Sequence, residues 1–169
     1  MSKALRLSLA LLLVGPAAAA LGGCGFTPLY ATPGLSGGLS TIEVTAPKGR
    51  VAYLIREDLD DALGRDKTQP AAWRLTYTVT ETRDPRGLRR DDVAERYALG
   101  LTVRYSVTSV STGAVAQSGE VVTEVSYDAA DAPYAGIAAR QDSQERAASD
   151  AARRIEIQLA AWMARQRHP

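Results

Sequence analysis

Apolar and polar residues alternate most regularly in the middle of this chain. Trp73, Leu75, Tyr77 and Val79 alternate with Arg74, Thr76, Thr78 and Thr80. Tyr97, Leu99, Leu101, Val103, Tyr105 and Val107 alternate with Ala98, Gly100, Thr102, Arg104, Ser106 and Thr108. A period of two sends successive side chains to opposite faces, so both segments predict strands with one apolar face and one Thr/Ser/Arg face. Ser111-Thr112-Gly113 then turns the chain into Val115 to Tyr127, where the alternation is weaker. Short connections make these three an antiparallel meander, covered on one side only. Upstream, Thr41 to Thr45 also alternates and is stopped by Pro47 and Gly49.

Two helical patterns flank the meander. Val51, Leu54, Ile55, Leu59, Ala62 and Leu63 keep helical spacing, with Gly64 as the stop. A longer helix is predicted from near Ile137 to Arg165, with an apolar stripe of Ala148, Ala151, Ala152, Ile155, Leu159, Trp162 and Met163. Asp142 precedes Arg146, and Asp150 precedes Arg154, at the i,i+4 spacing that supports a helix surface. The order is β-α-β-β-β-α. It predicts an α+β fold, a two-layer sandwich in which a mostly antiparallel four-stranded sheet is backed by two helices.

The N-terminal stretch follows a different grammar. Lys3 and Arg6 precede an apolar run from Leu7 to Val14, then Gly15-Pro16 and the small residues Ala17 to Ala20. This is the pattern of a secretory signal; a membrane span needs roughly 20 uninterrupted apolar residues. Leu21-Gly22-Gly23-Cys24 resembles the bacterial lipobox, in which the peptidase cuts before a cysteine that becomes acylated. Residues 1–23 are thus expected to be removed, and residues 24–39, rich in Pro and Gly, to form a lipidated N-terminus and linker. Residues 40–169 are expected to form a single domain. Several acyl chains hold a protein firmly where one does not. Gly25 stands where an aspartate would resemble the inner-membrane retention signal, which favours the outer membrane, periplasmic side.

Composition narrows the chemistry. There are 20 Lys+Arg against 19 Asp+Glu, one cysteine and one histidine. Such a balance gives no overall attraction to nucleic acid. A single Cys24 and a single His168 leave no disulfide, no zinc site and no Cys–His pair to be built within the chain. No cofactor is expected, and no enzyme. A periplasmic hydrolase would have to work with carboxylates alone, and those cluster on a helix that reads as exposed.

Gly23-Cys24-Gly25-Phe26-Thr27-Pro28-Leu29-Tyr30 resembles the start of the mature lipoprotein of the LptE lipopolysaccharide-assembly family, in its alphaproteobacterial form. The element order, a hairpin rich in Thr and Tyr, and an Asp/Ala/Arg-rich closing helix extend the resemblance over most of the mature chain. It implies an outer-membrane lipoprotein that sits in the large β-barrel LptD in a one-to-one complex, helps it assemble, and binds lipopolysaccharide in transit. Acylated Cys24 would hold it to outer-membrane lipid. A generic lipid-anchored adaptor of another envelope transport system shares the same physical features and is separated from this reading only by the N-terminal motif.

The candidate ligand residues are arginines. Glu81 to Asp92 is predicted to be a long hairpin loop carrying Arg83, Arg86, Arg89 and Arg90. Guanidinium forks suit phosphate, and lipid A carries phosphates. The opposing reading is a solvated loop whose Asp84, Asp91 and Asp92 neutralise those charges. Arg74 and Arg104, on the polar strand face, are the second candidates. Glu57, Asp58, Asp60 and Asp61 do not follow the calcium-loop pattern and read as the wet face of the first helix. Trp73, Tyr77, Tyr97 and Tyr105 read as core with hydroxyls at the rim.

Overall fold

The computed structural model describes residues 35–88, 94–130 and 132–167. The leader, Cys24, the first part of the expected linker, Arg89, Arg90, Asp91, Asp92 and His168 lie outside the described residues. The chain runs through α1 (Leu35–Leu39), β1 (Ile42–Thr45), α2 (Arg50–Leu63), β2 (Trp73–Leu88), β3 (Ala94–Ser109), β4 (Val115–Asp128) and α3 (Pro133–Arg167). The strands lie in the order β1-β2-β3-β4. β1 pairs with β2 in parallel, Ile42 beside Trp73 and Thr45 beside Thr76. The other pairs are antiparallel. A parallel pair needs a crossover, and α2 supplies it. The expected α+β sandwich is the fold found.

Three differences from the sequence pattern have physical reasons. The stretch predicted as a loop from Glu81 continues as strand to Leu88, so that Arg83 stands opposite Leu99 and Pro85 opposite Tyr97. Beyond Thr76 no described strand pairs with the other side of β2, so Pro85 can lack its N–H there without breaking a ladder. Second, α3 begins at Pro133, four residues before Ile137, with proline at the first helical position, where its fixed φ suits the helix. Third, the end of the stretch read as linker forms the short helix α1. Gly37 and Gly38 give it no helical propensity; burial of Leu39, 2% exposed, against the rest of the fold holds it.

α2 and α3 cover one face. From the sheet come Leu75, Tyr77, Leu99, Leu101, Val103, Tyr105, Val107 and Val121, all buried. α3 answers with the whole predicted stripe, joined by Ala147 and Ala160. α2 adds Val51, Ala52, Ile55, Leu59 and Leu63, and ends at Gly64 in the left-handed region, φ 58°. Trp73 and Trp162 meet edge to face, ring centroids 5.0 Å apart. The i,i+4 pairs of Asp142 with Arg146 and Asp150 with Arg154 form at 2.9 Å. Among the described residues no helix is long and apolar enough to cross a membrane.

One glycine is fixed by its neighbour. Gly119 stands opposite Tyr105 on the inner face, and a Cβ there would lie 2.6 Å from the Tyr105 hydroxyl oxygen and 2.7 Å from its ring. The absence of a side chain lets the tyrosine ring lie over the β4 backbone. Gly119→Ala should therefore cost about 1–3 kcal/mol through overpacking. Gly37→Ala, with nothing within 4 Å of its Cβ, should be neutral or slightly stabilising. Thermal unfolding followed by circular dichroism compares the two; equal melting temperatures would show that Tyr105 moves aside freely.

Candidate functional site

Coverage of the sheet is uneven, and the candidate site lies where it thins. β1 pairs only from Trp73 to Thr76, so among the described residues the far part of the sheet is three-stranded, with the first turns of α3 over it. Arg83 has the same strand parity as Leu75 and Tyr77 and thus emerges on the helix side. Its guanidinium carbon sits 3.6 Å from the ring centre of Tyr97 and 6.0 Å from that of Tyr127. Tyr97 and Tyr127 face each other across β3 and β4, stacked with centroids 5.6 Å apart. Arginine over an aromatic face gains from the ring quadrupole while its N–H edge stays available.

Arg140, from the second turn of α3, completes the group. It donates to Glu81 at 2.8 Å, and Gln144 donates to the other oxygen of that carboxylate at 2.9 Å. The Glu81 hydrogen bond, then its charge, pushes the Arg140 pKa still higher, so the guanidinium stays charged. Arg83, Tyr97, Tyr127, Pro133, Ile137 and Arg140 border a cavity of about 300 Å³. Within this fold the Tyr127 hydroxyl is buried and has no hydrogen-bond partner among the described residues.

The other predicted arginines are not brought to this cavity. Arg86 lies on the opposite, open face of the sheet and pairs with Glu124 at 3.7 Å. On the same face Arg74 pairs with Glu43 at 3.2 Å, and Arg104 with Glu120. Arg96, on the same face, pairs with Asp128 at 3.0 Å. Arg89 and Arg90 lie outside the described residues. Exposed pairs of this kind contribute about 0–1 kcal/mol each, but they leave the open face polar and locally balanced.

The remaining candidates resolve simply. Tyr77 and Tyr105 are core, but their hydroxyls reach helices rather than the rim: Tyr77 donates to the Ala52 carbonyl and Tyr105 to Gln158 Oε1, both at 2.6 Å. Glu57 and Asp61 are exposed, and Arg56 pairs with Asp60 at 3.5 Å. Burial, then the charges of Glu57 and Asp61, raises the Asp58 pKa. Among the described residues no three His, Cys, Asp or Glu side chains gather as a metal set. Tyr127 and Arg140 were the functional candidates missed. Continued parity through Arg83, together with the Tyr97–Tyr127 register, was the signal that would have found the first.

The family described as LptE, lipopolysaccharide-assembly, matches residues 39–159. No curated protein matches the chain. A solved structure assigned as a lipoprotein of Caulobacter crescentus CB15 is 46% identical, with TM-score 0.68, covering 78% of this chain and 96% of its own. Lipoprotein B of Nitrosomonas europaea is 17% identical with TM-score 0.56, covering 73% of this chain and 83% of its own. The rare lipoprotein B of Shewanella oneidensis is 19% identical with TM-score 0.53, covering 75% and 97%. The last two are similar in fold alone.

The buried phenols set a limit in alkali. Burial pushes the Tyr77 pKa up to about 12 and raises that of Tyr105. A folded pKa above the unfolded value of about 10 contributes stability that is full below pH ~10 and is lost as pH rises towards 12. Stability in urea should therefore fall by about 1 kcal/mol from Tyr77 alone between pH 9 and 11. Tyr77→Phe should flatten that slope while losing the Ala52 bond. An unchanged slope in the variant would place the alkaline loss elsewhere.

Proposed function

The chain belongs to the LptE lipopolysaccharide-assembly family, and on that premise we propose that it is the lipid-anchored outer-membrane subunit that plugs the β-barrel LptD, assists its assembly and binds lipopolysaccharide in transit. The coarse role, lipopolysaccharide assembly, is that of the family. The observation that carries the plug is the open face of the sheet. Thr76, Thr78, Thr80, Thr82, Thr102 and Thr108 alternate there with arginines that are each matched by a carboxylate. The interior of such a barrel is polar, and a charge-balanced hydroxyl-rich face can enter it without burying an unpaired charge.

The strands also have the right reach. Sixteen residues in each of β2 and β3 extend about 50 Å, more than the roughly 30 Å hydrocarbon core of a bilayer. The described residues start at α1, near the Trp73 end of the sheet, while Arg83 and Arg86 lie towards the other end. In the proposed complex Arg83 and Arg86 belong to the end of the sheet away from α1, where lipid A phosphates would be met.

Two experiments test this reading. Mild detergent extraction of cells expressing the full chain should co-purify a very large outer-membrane β-barrel in a one-to-one ratio. Separate elution, or capture of an inner-membrane complex, favours an adaptor of another transport system. Cys24→Ala should abolish incorporation of labelled palmitate without lowering the melting temperature of the domain. Label persisting in that variant overturns the lipid anchor.

A further inference from the structure

The end of the sheet that carries Trp73 differs from the rest of the surface in its charge. From Tyr105 to Gly119 no residue is charged, although 23% of the chain is. Within that stretch the segment Val110 to Ala116 turns β3 into β4 and is exposed throughout, Val110 at 46% and Val115 at 63%. The uncharged segment Gln69 to Ala72 lies beside it, where the Val110 N–H donates to the Ala72 carbonyl at 3.0 Å. Cations border the two. Arg65 is held by the carbonyls of Ser40, Asp66 and Gln69, and Lys67 is exposed in the same loop. Arg165, also exposed, follows Trp162, whose ring meets Trp73.

The turn bonds its own polar groups. Ser109 donates its N–H to the Ala114 carbonyl at 2.9 Å, and Gly113 donates to the Ser109 carbonyl at 2.8 Å. The Ser109 and Ser111 hydroxyls bond at 3.0 Å. The N–H groups of Thr112 and Ala114 reach the side-chain oxygens of Ser109 and Thr112 at 3.4 and 3.3 Å. Gly113 permits this closure in the left-handed region, φ 70°. Leaving water is costly for a peptide or hydroxyl group that has no partner, and much less so for one already bonded. A turn built this way can enter a lipid headgroup region; a loop of free N–H groups or carboxylates cannot. Its apolar side chains, Val110, Ala114, Val115 and Ala116, are too few for a stable protein interface but suit an accessory contact with lipid.

We infer that this end of the fold is a second contact with the bilayer. The turn from Val110 to Ala116 enters the headgroup region of an anionic phospholipid surface, and Lys67 and Arg165 meet its phosphates. The inference rests on the lipid-anchor reading for what brings a bilayer near. Cys24 and Leu35 are eleven residues apart in sequence, and a chain of that length spans at most about 40 Å. Acyl chains alone would leave the domain free to turn. The docked end fixes its direction, with Trp73 towards lipid and Arg83 away from it.

The test uses the full chain, expressed with its leader and reconstituted through its acyl anchor into vesicles. One set contains phosphatidylethanolamine and phosphatidylglycerol, the other phosphatidylcholine alone. Val115→Cys introduces a thiol for an environment-sensitive fluorophore. Val122→Cys, on the open face of β4 where the side chain is 56% exposed, supplies the comparison. In the anionic vesicles the Val115 label should shift to the blue and be quenched by brominated acyl chains, while the Val122 label should remain in water. Lys67→Glu with Arg165→Glu should lower the ratio of docked to undocked protein about twentyfold, since each cation near such a surface is worth about fivefold. The melting temperature should not move, as both side chains are exposed. Phosphatidylcholine vesicles should dock the turn as weakly as that variant does. A Val115 label that stays in water like the Val122 label overturns the contact. So does a blue shift without lipid quenching, which would place a protein surface over the turn, or equal quenching in both kinds of vesicle. The anchor reports separately. Acylation consumes the Cys24 thiol, so a second fluorophore per chain sinks the anchor, and the difference between the Val115 and Val122 labels still decides the contact.

Discussion

One helix has to cover a sheet as long as itself, and most of the structure follows from how it does so. At 1.5 Å per residue the 35 residues of α3 run about 50 Å, the length of β2 and β3. Alanines at 147, 148, 151 and 152 let its axis lie close to the strands, so that Leu101, Val103 and Thr123 are sealed beneath a single layer. Thr123 even donates to the Ala147 carbonyl. Where α2 and β1 join it, towards Trp73, the core is complete. Where α3 lies alone, towards Tyr127, one helix is too narrow for three strands, and the polar inner positions Glu81 and Arg83 are tolerated.

That division explains what could be read from the sequence. Where cover is full, apolar and polar positions separate cleanly, and Leu75, Tyr77, Leu99 to Val107, Ile155 and Leu159 declare both element and face. Where cover is thin, the strand keeps its geometry but loses its apolar signal, and Glu81 to Leu88 reads as loop. Pro85 deepens the error, since it is tolerated only because β1 stops at Thr45. Arg83 and Arg86 look equivalent in a charged run, but three residues along a strand put them on opposite faces. The pairing of Tyr97 with Tyr127 depends on cross-strand register, which no single segment carries. Arg140 joins them only because the helix starts at Pro133 and brings its second turn over the strand ends.

The two faces of the sheet use arginine in different ways. On the open face Arg74, Arg96 and Arg104 each sit beside a carboxylate on a neighbouring strand, and Arg86 reaches across β3 to Glu124 on β4, which cancels charge locally without burying it. Such a surface is wettable and weakly selective. On the inner face Arg83 rests on an aromatic ring instead, and its charge meets no carboxylate among the described residues. Residue type alone does not distinguish a solvated arginine from a recognising one; the company it keeps does.

The position of α3 after the strands that it covers governs when the sandwich can close. A polypeptide emerges N-terminus first, so β2, β3 and β4 are all delivered before the helix that covers them. Until Trp162 and Met163 arrive, Leu75, Leu101, Val103 and Val107 face water, and the long edges of β2 and β4 offer unpaired backbone to other chains. The half-made molecule is therefore a sticky ribbon, and the sandwich closes only once α3 has followed the strands. Loss of the turns of α3 that carry Trp162 and Met163 would leave that face open, and a holding factor that keeps the open sheet apart from its neighbours would act in that interval.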